Sequence, residues 1–132
     1  MTQHRFPVRV YYEDTDFSGN VYHAAYLKFF ERGRTEFLRD AGVYHFELAA
    51  QGIAFAVRSM TLDFVGAAHI DDLLTVITKV EAITGARLVL EQTILRGDVV
   101  LTRATVVVVA IKTSGGVARM PKLILETFGS SA

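Results

Sequence analysis

The chain has 132 residues, 51% hydrophobic and 21% charged, with 14 Lys plus Arg balanced by 14 Asp plus Glu. One domain spanning 1–132 follows from that length, since such a chain buries roughly two-thirds of its unfolded surface, while the absent net field disfavours nucleic acid as a partner. With no cysteine, disulfides, thiolate metal sites and Cys nucleophiles are excluded.

The N-terminus MTQHRFPVRVYYED lacks the basic-then-apolar order of a signal peptide. No apolar run reaches the roughly 18 residues of a membrane span, so a soluble cytoplasmic protein is expected. Its apolar surplus makes self-association a reasonable expectation.

In chain order, Phe6 to Tyr12 reads as a first strand, rich in Val and Tyr with Pro7 only near its start. Asp16, Ser18, Gly19 and Asn20 are turn formers, so the chain should bend there and open a helix near Val21 with Asn20 or Ser18 as cap. From Val21 to Ala41, Tyr22, Tyr26, Phe29, Phe30, Phe37 and Ala41 recur at three- and four-residue steps, the stripe of one long amphipathic helix. Gly42 suits its left-handed stop, and a short helical stretch from Tyr44 to Ala50 ends at Gly52.

After Ile53, β-branched residues dominate and breakers fall between runs. Four strands are predicted, Phe55 to Phe64, Leu73 to Ile83, Arg87 to Leu95 and Val99 to Lys112, with turns at Gly66 to Asp72, Thr84-Gly85 and Gly97-Asp98. Ala104 to Ile111 is apolar at both parities, as in a strand covered on both faces by the helix and by another subunit. Pro121 to Phe128 reads as a short helix opened by proline. The class is α+β, a long helix lying on one antiparallel sheet.

Polar groups concentrate at one junction, between first strand and long helix: Glu13, Asp14, Asp16, Ser18, Asn20 and His23. The first turn of a helix has unpaired N–H groups and the positive end of the dipole, so it stabilises an anion that develops there. A carboxylate just before that turn, Asp16, is placed to attack a carbonyl held by those N–H groups or to activate a water beside it. Spacing alone equally allows Asp14 and Asp16 to be caps of the turn.

Other constellations are weaker. Asp14-x-Asp16-x-Ser18-Gly19 opens like a calcium loop, but Ala25 falls where the bidentate Glu is required. The histidines, 4, 23, 45 and 69, show no zinc spacing, and no metal is inferred. His23 reads either as a surface residue or as a group able to meet a substrate carbonyl. On the long helix, Arg32 with Glu36 and Glu31 with Arg34 read as ion pairs, with a helix carboxylate facing a cleft as the alternative. Arg58, Lys79, Arg87 and Arg103 read as solvated sheet charges, or else as contacts to phosphates.

The segment VRVYYEDTDFSGNVYHAAYLKFFERGRTEFLR, residues 8–39, resembles the YbgC-type acyl-CoA thioesterases of the 4-hydroxybenzoyl-CoA thioesterase group, and the likeness continues more loosely through MTLDFVGAAHIDDLLTV. The resemblance implies a hotdog fold, one long central helix wrapped by a curved five-stranded antiparallel sheet. It also implies a homodimer or homotetramer with active sites at the dimer interface. The family's catalytic Asp falls on Asp16, with its Tyr on Tyr12 and its His on His23. Substrate contacts are implied at Gly19, Val21 and Tyr22, and the thioester oxygen on the backbone N–H of His23 and that of Tyr22. Two departures stand out: Ala25 replaces the subfamily's usual Asn, and Gly66-Ala67-Ala68 lacks its usual Pro.

The activity so implied is hydrolysis of an acyl-CoA, or acyl carrier protein, thioester, with Asp16 as nucleophile or general base. Coenzyme A enters only as part of the substrate, and no cofactor is implied. The rivals are a non-catalytic acyl-CoA sensing module on the same fold and a hotdog hydratase, whose His-and-acid motif is absent here.

Overall fold

A computed structural model describes residues 3–129. In chain order it contains β1 (His4–Arg9), a 3-10 turn (Tyr12–Asp14), α1 (His23–Asp40), α2 (His45–Ala50), β2 (Ile53–Phe64), β3 (Leu73–Thr84), β4 (Arg87–Arg96), β5 (Val99–Lys112) and α3 (Lys122–Phe128). The strands form one antiparallel sheet in the order β1-β3-β4-β5-β2, so β1 and β2 are its edges. Among the described residues, no helix is long and apolar enough to cross a membrane.

The long helix lies on this sheet. Its buried face is Ala25, Tyr26, Phe29, Phe30, Gly33, Phe37 and Leu38, against inward residues such as Leu74, Val76, Leu88, Leu90, Ile94 and Val106. Phe29 and Phe30 are fully buried, each contributing about 2 to 3 kcal/mol relative to exposure. Gly33 permits the closest approach: a Cβ there would stand 2.6 Å from Val76 Cγ1. In β5 the even positions 104 to 110 are buried and the odd positions 105 to 111 half-buried, so only the helix-side face is sealed within the chain.

Strands β1 and β2 each begin two residues earlier than expected, at His4 and Ile53, and three further boundaries differ for identifiable reasons. β1 ends at Arg9 rather than Tyr12 because the Asp14 carboxylate takes the Tyr11 N–H at 2.8 Å while the Asp14 N–H donates to the Tyr11 carbonyl at 3.0 Å, curling the chain into the 3-10 turn. The helix opens at His23, not Val21, and neither Asn20 nor Ser18 is its cap: Tyr22 is, without a side-chain bond. Asn20 and Val21 are instead drawn into bridges with His69 and Thr15, and the Val21 N–H donates to the Ala68 carbonyl at 2.9 Å. The β3–β4 turn is Gly85-Ala86, since Thr84 still pairs with Arg87.

The helix stop is as predicted. Gly42 has φ 85, its N–H donates to the Arg39 carbonyl, and that of Val43 donates to the Leu38 carbonyl, both at 2.9 Å.

Candidate active site

The loop between the 3-10 turn and α1 is closed by backbone bonds. Thr15 bridges Val21, the Asp16 N–H donates to the Asn20 carbonyl at 2.8 Å, and Gly19 has φ 83, a left-handed conformation that favours glycine. The second support comes from 66–72, whose Ile70 N–H donates to the Gly19 carbonyl at 3.0 Å. That segment is itself pinned. The Tyr26 hydroxyl accepts the Ala68 N–H at 3.0 Å, and Arg96 donates to both the Ala67 carbonyl and the Asp72 carboxylate at 3.0 Å. Burial pushes the Asp72 carboxyl up, but the His69 N–H and Arg96 outweigh it and leave the group below its ordinary value.

Two aspartates two residues apart thus differ in kind. Asp14 is 5% exposed and locked to the Tyr11 N–H. Asp16 is exposed, and its Oδ1 accepts both the Ser18 hydroxyl and the Ser18 N–H. Among the described residues, Oδ2 accepts none. The Ser18 hydroxyl, then the Ser18 N–H, outweigh desolvation and hold the Asp16 carboxyl below its ordinary value, helped by the Asn20 N–H environment of the closed turn. The result is an ionised carboxylate with one oxygen tied down and one open.

Asp16 lines an open depression with Tyr12, Thr15, Phe17, Gly19 and Ile70. Tyr12, 82% exposed, lies in the 3-10 turn rather than on the strand, and Phe17 is fully exposed. His23 is exposed as the first residue of α1. Val21 is buried and acts in the loop's closure. Tyr22 differs from expectation: its N–H donates to the Asp14 carbonyl at 3.3 Å, so that amide is spent on the loop. Among the described residues, the open first-turn donors are the N–H groups of His23 and Ala24, because that of Ala25 already donates to the Tyr22 carbonyl at 2.9 Å.

The ion pairs expected on α1 are not formed. Glu36 pairs with Arg39 at 3.2 Å rather than with Arg32, and Arg34 turns inward to Gln92 instead of meeting Glu31. Lys79 pairs with Glu91 across β3 and β4 at 3.7 Å, which accounts for one of the sheet cations. The bracing residues Tyr26, Ala68, Asp72 and Arg96 escaped the sequence reading, because their bonds span 24 or more positions and leave no local pattern.

Tyr12 and Gly19 share the depression with Asp16, whereas Val21, Tyr22 and His23 are not among its lining residues; comparison with known proteins identifies the family. Residues 10–128 match the family model of the thioesterase-like superfamily. The chain is 49% identical to the acyl-CoA thioesterase YbgC of Haemophilus influenzae over 80% of this chain and 79% of that one. It is 42% identical to the acyl-CoA thioester hydrolase YbgC of Escherichia coli over 96% of each. Among solved structures, a probable thioesterase from Bartonella henselae superposes with a TM-score of 0.87 at 47% identity, covering 91% of this chain and all of that one. The helix-on-sheet architecture, the matched length and these identities together establish that the chain belongs to the thioesterase-like superfamily of hotdog-fold proteins, within its YbgC group.

Proposed function

We propose that the chain hydrolyses acyl-CoA thioesters to the free acid and thiol, with Asp16 as the reacting carboxylate. The observation that carries this reading is the open Oδ2 of an ionised, exposed Asp16, in a loop whose base is tied to the opening of α1. The YbgC relatives, an acyl-CoA thioesterase and an acyl-CoA thioester hydrolase, supply the substrate class.

The thioester oxygen rests on the N–H groups of His23 and Ala24, where the helix dipole favours the negative charge that develops. Asp16 Oδ2 bonds to the carbonyl carbon, the C–S bond breaks, and the thiolate leaves to be protonated, with His23 as the proton source in this reading. Water then cleaves the acyl–aspartyl anhydride, returning the carboxylate and releasing the acid. In the general-base alternative, Asp16 takes a proton from the water that attacks. Tyr12 and Gly19 border the acyl group at the depression.

A second copy of the chain completes the site in this reading. Supporting it are the exposed Phe17 and Tyr12 around Asp16 and the unpaired edge of β2, twelve residues long.

The test is release of free thiol from a panel of saturated and aromatic acyl-CoAs. Turnover is expected for at least one class; tight binding of the panel without thiol release would establish the non-catalytic sensing alternative. Single turnover in oxygen-18 water then bears on the two roles of Asp16, because only a nucleophilic Asp16, its anhydride opened at the aspartyl carbonyl, takes label into its own carboxylate.

A further inference from the structure

The inward turn of Arg34 places a cation where the fold has little to neutralise it. Its Nη1 donates to Gln92 Oε1 at 3.0 Å. Gln92 is 1% exposed, and its Nε2 donates to the Phe30 carbonyl at 3.0 Å and to Thr78 Oγ1 at 2.9 Å. Arg34 therefore satisfies the one acceptor that the buried amide has left. That task uses one donor of the five on a guanidinium.

Among the described residues, no carboxylate lies within ion-pair distance of Arg34. Burial pulls its pKa down, and the field of Glu31 one turn earlier only partly opposes this. A half-buried charge with only a neutral partner is partly stripped of water, and an anion pairing with it would offset that cost.

The space for that partner exists. A cavity of ≈ 180 Å³ opens beside Arg34 between α1, α2 and the sheet. Leu88, Leu90, Val108 and Phe55 supply an apolar lining, and Glu31 shares its rim. The volume equals that of about six waters in the liquid, room for a compact organic molecule. Within one chain, Arg34 lies three helical turns, about 16 Å along the axis, from His23.

We propose that this cavity is a carboxylate-binding site, taking a small organic acid whose carboxylate forks onto the Arg34 guanidinium and whose apolar body packs on Leu88, Leu90 and Val108. The planar fork matches a carboxylate bidentately, which a lysine cannot do. Glu31, on the same rim, is the intramolecular competitor for Arg34. This gives the site a signed response: removing the Glu31 charge strengthens binding, and removing the Arg34 charge abolishes it.

The experiment is titration of the full chain with benzoate, and with benzyl alcohol as its neutral counterpart, followed by calorimetry and amide chemical shifts. Saturable benzoate binding is expected with shifts at Arg34, Leu90 and Val108, about tenfold or more tighter than benzyl alcohol. Glu31→Gln is expected to tighten benzoate severalfold, and Arg34→Lys to weaken it. Arg34→Met should erase the preference over benzyl alcohol; since it leaves Gln92 Oε1 unpaired, the double variant Arg34→Met with Gln92→Leu provides a second folded background. Absence of saturable binding, equal affinity for the two probes, or a benzoate affinity indifferent to Arg34 and Glu31 overturns the proposal. These readouts do not depend on turnover. Where the chain also hydrolyses acyl-CoAs, a KM for adipoyl-CoA below that for hexanoyl-CoA and dependent on Arg34 assigns the carboxylate to the far end of an acyl group, and equal values assign it to a free acid.

Discussion

The two polar regions on α1, the Asp16 loop at its start and the Arg34–Gln92 cluster in its middle, handle charge in opposite ways. At the loop, exposure and the bonds from Ser18 favour the charged form of Asp16. In the cluster, burial opposes the charged form of Arg34, whose side-chain hydrogen bond goes to a neutral amide. The first region keeps a reactive group ready with little demand on the core; the second is part of the core. Substitutions at the loop should therefore act on turnover with little effect on stability, and those at the cluster should do the reverse.

The largest expected effect is on turnover. Asp16→Asn keeps a side-chain oxygen to accept the Ser18 N–H, so the loop geometry survives while the carboxylate is lost. Thiol release should fall by about 10² to 10⁴, the usual contribution of such a group, with the urea midpoint displaced by no more than about 0.5 kcal/mol in stability. If folded Asp16→Asn hydrolysed acyl-CoAs at the wild-type rate, the reactive group would have to be sought elsewhere.

The converse belongs to the cluster. Gly33→Ala places a methyl 2.6 Å from Val76 Cγ1, on β-sheet packing that cannot easily yield. Overpacking of this kind costs about 1 to 3 kcal/mol, against about 1 kcal/mol gained in helix propensity, so net destabilisation is expected in urea unfolding. Thiol release per folded molecule should stay near wild type. In a Val76→Ala background the same Gly33→Ala change should be neutral or stabilising, since the clash is gone. A Gly33→Ala chain more stable than wild type would show that α1 is free to lift from the sheet.

What was readable in the sequence follows this division between local and long-range causes. The stripe of α1, its stop at Gly42 and the body of each strand from β2 to β5 depend on periodicity and breakers, and these were legible. The start of α1 was not, because Ala68 and His69 capture Val21 and Asn20 from almost fifty residues away. Helical spacing joined Glu31 to Arg34, yet it is blind to Gln92, whose buried oxygen draws Arg34 inward. At the site, the resemblance singled out Asp16, whereas only the fold reveals that the Tyr22 amide is occupied and that Asp14 is buried.

The smallest expected effect is the most specific to the loop. Ser18→Ala removes the hydroxyl that does most to lower the Asp16 pKa, leaving the Ser18 backbone N–H in place. Because the folded pKa lies below the ordinary aspartate value, the stability this ionisation contributes is present above that ordinary value and is lost as pH falls through the lowered one. Ser18→Ala should move the Asp16 carboxyl titration, followed by carbon-13 shifts, upward toward the ordinary value. The acid limb of thiol release should rise by the same amount, while turnover at neutral pH changes little because the carboxylate remains ionised there. A carboxyl titration that moves without the acid limb would mean that ionisation of Asp16 does not gate the reaction. Parallel movement would tie the rate to this carboxylate without altering it, which Asp16→Asn alone cannot do.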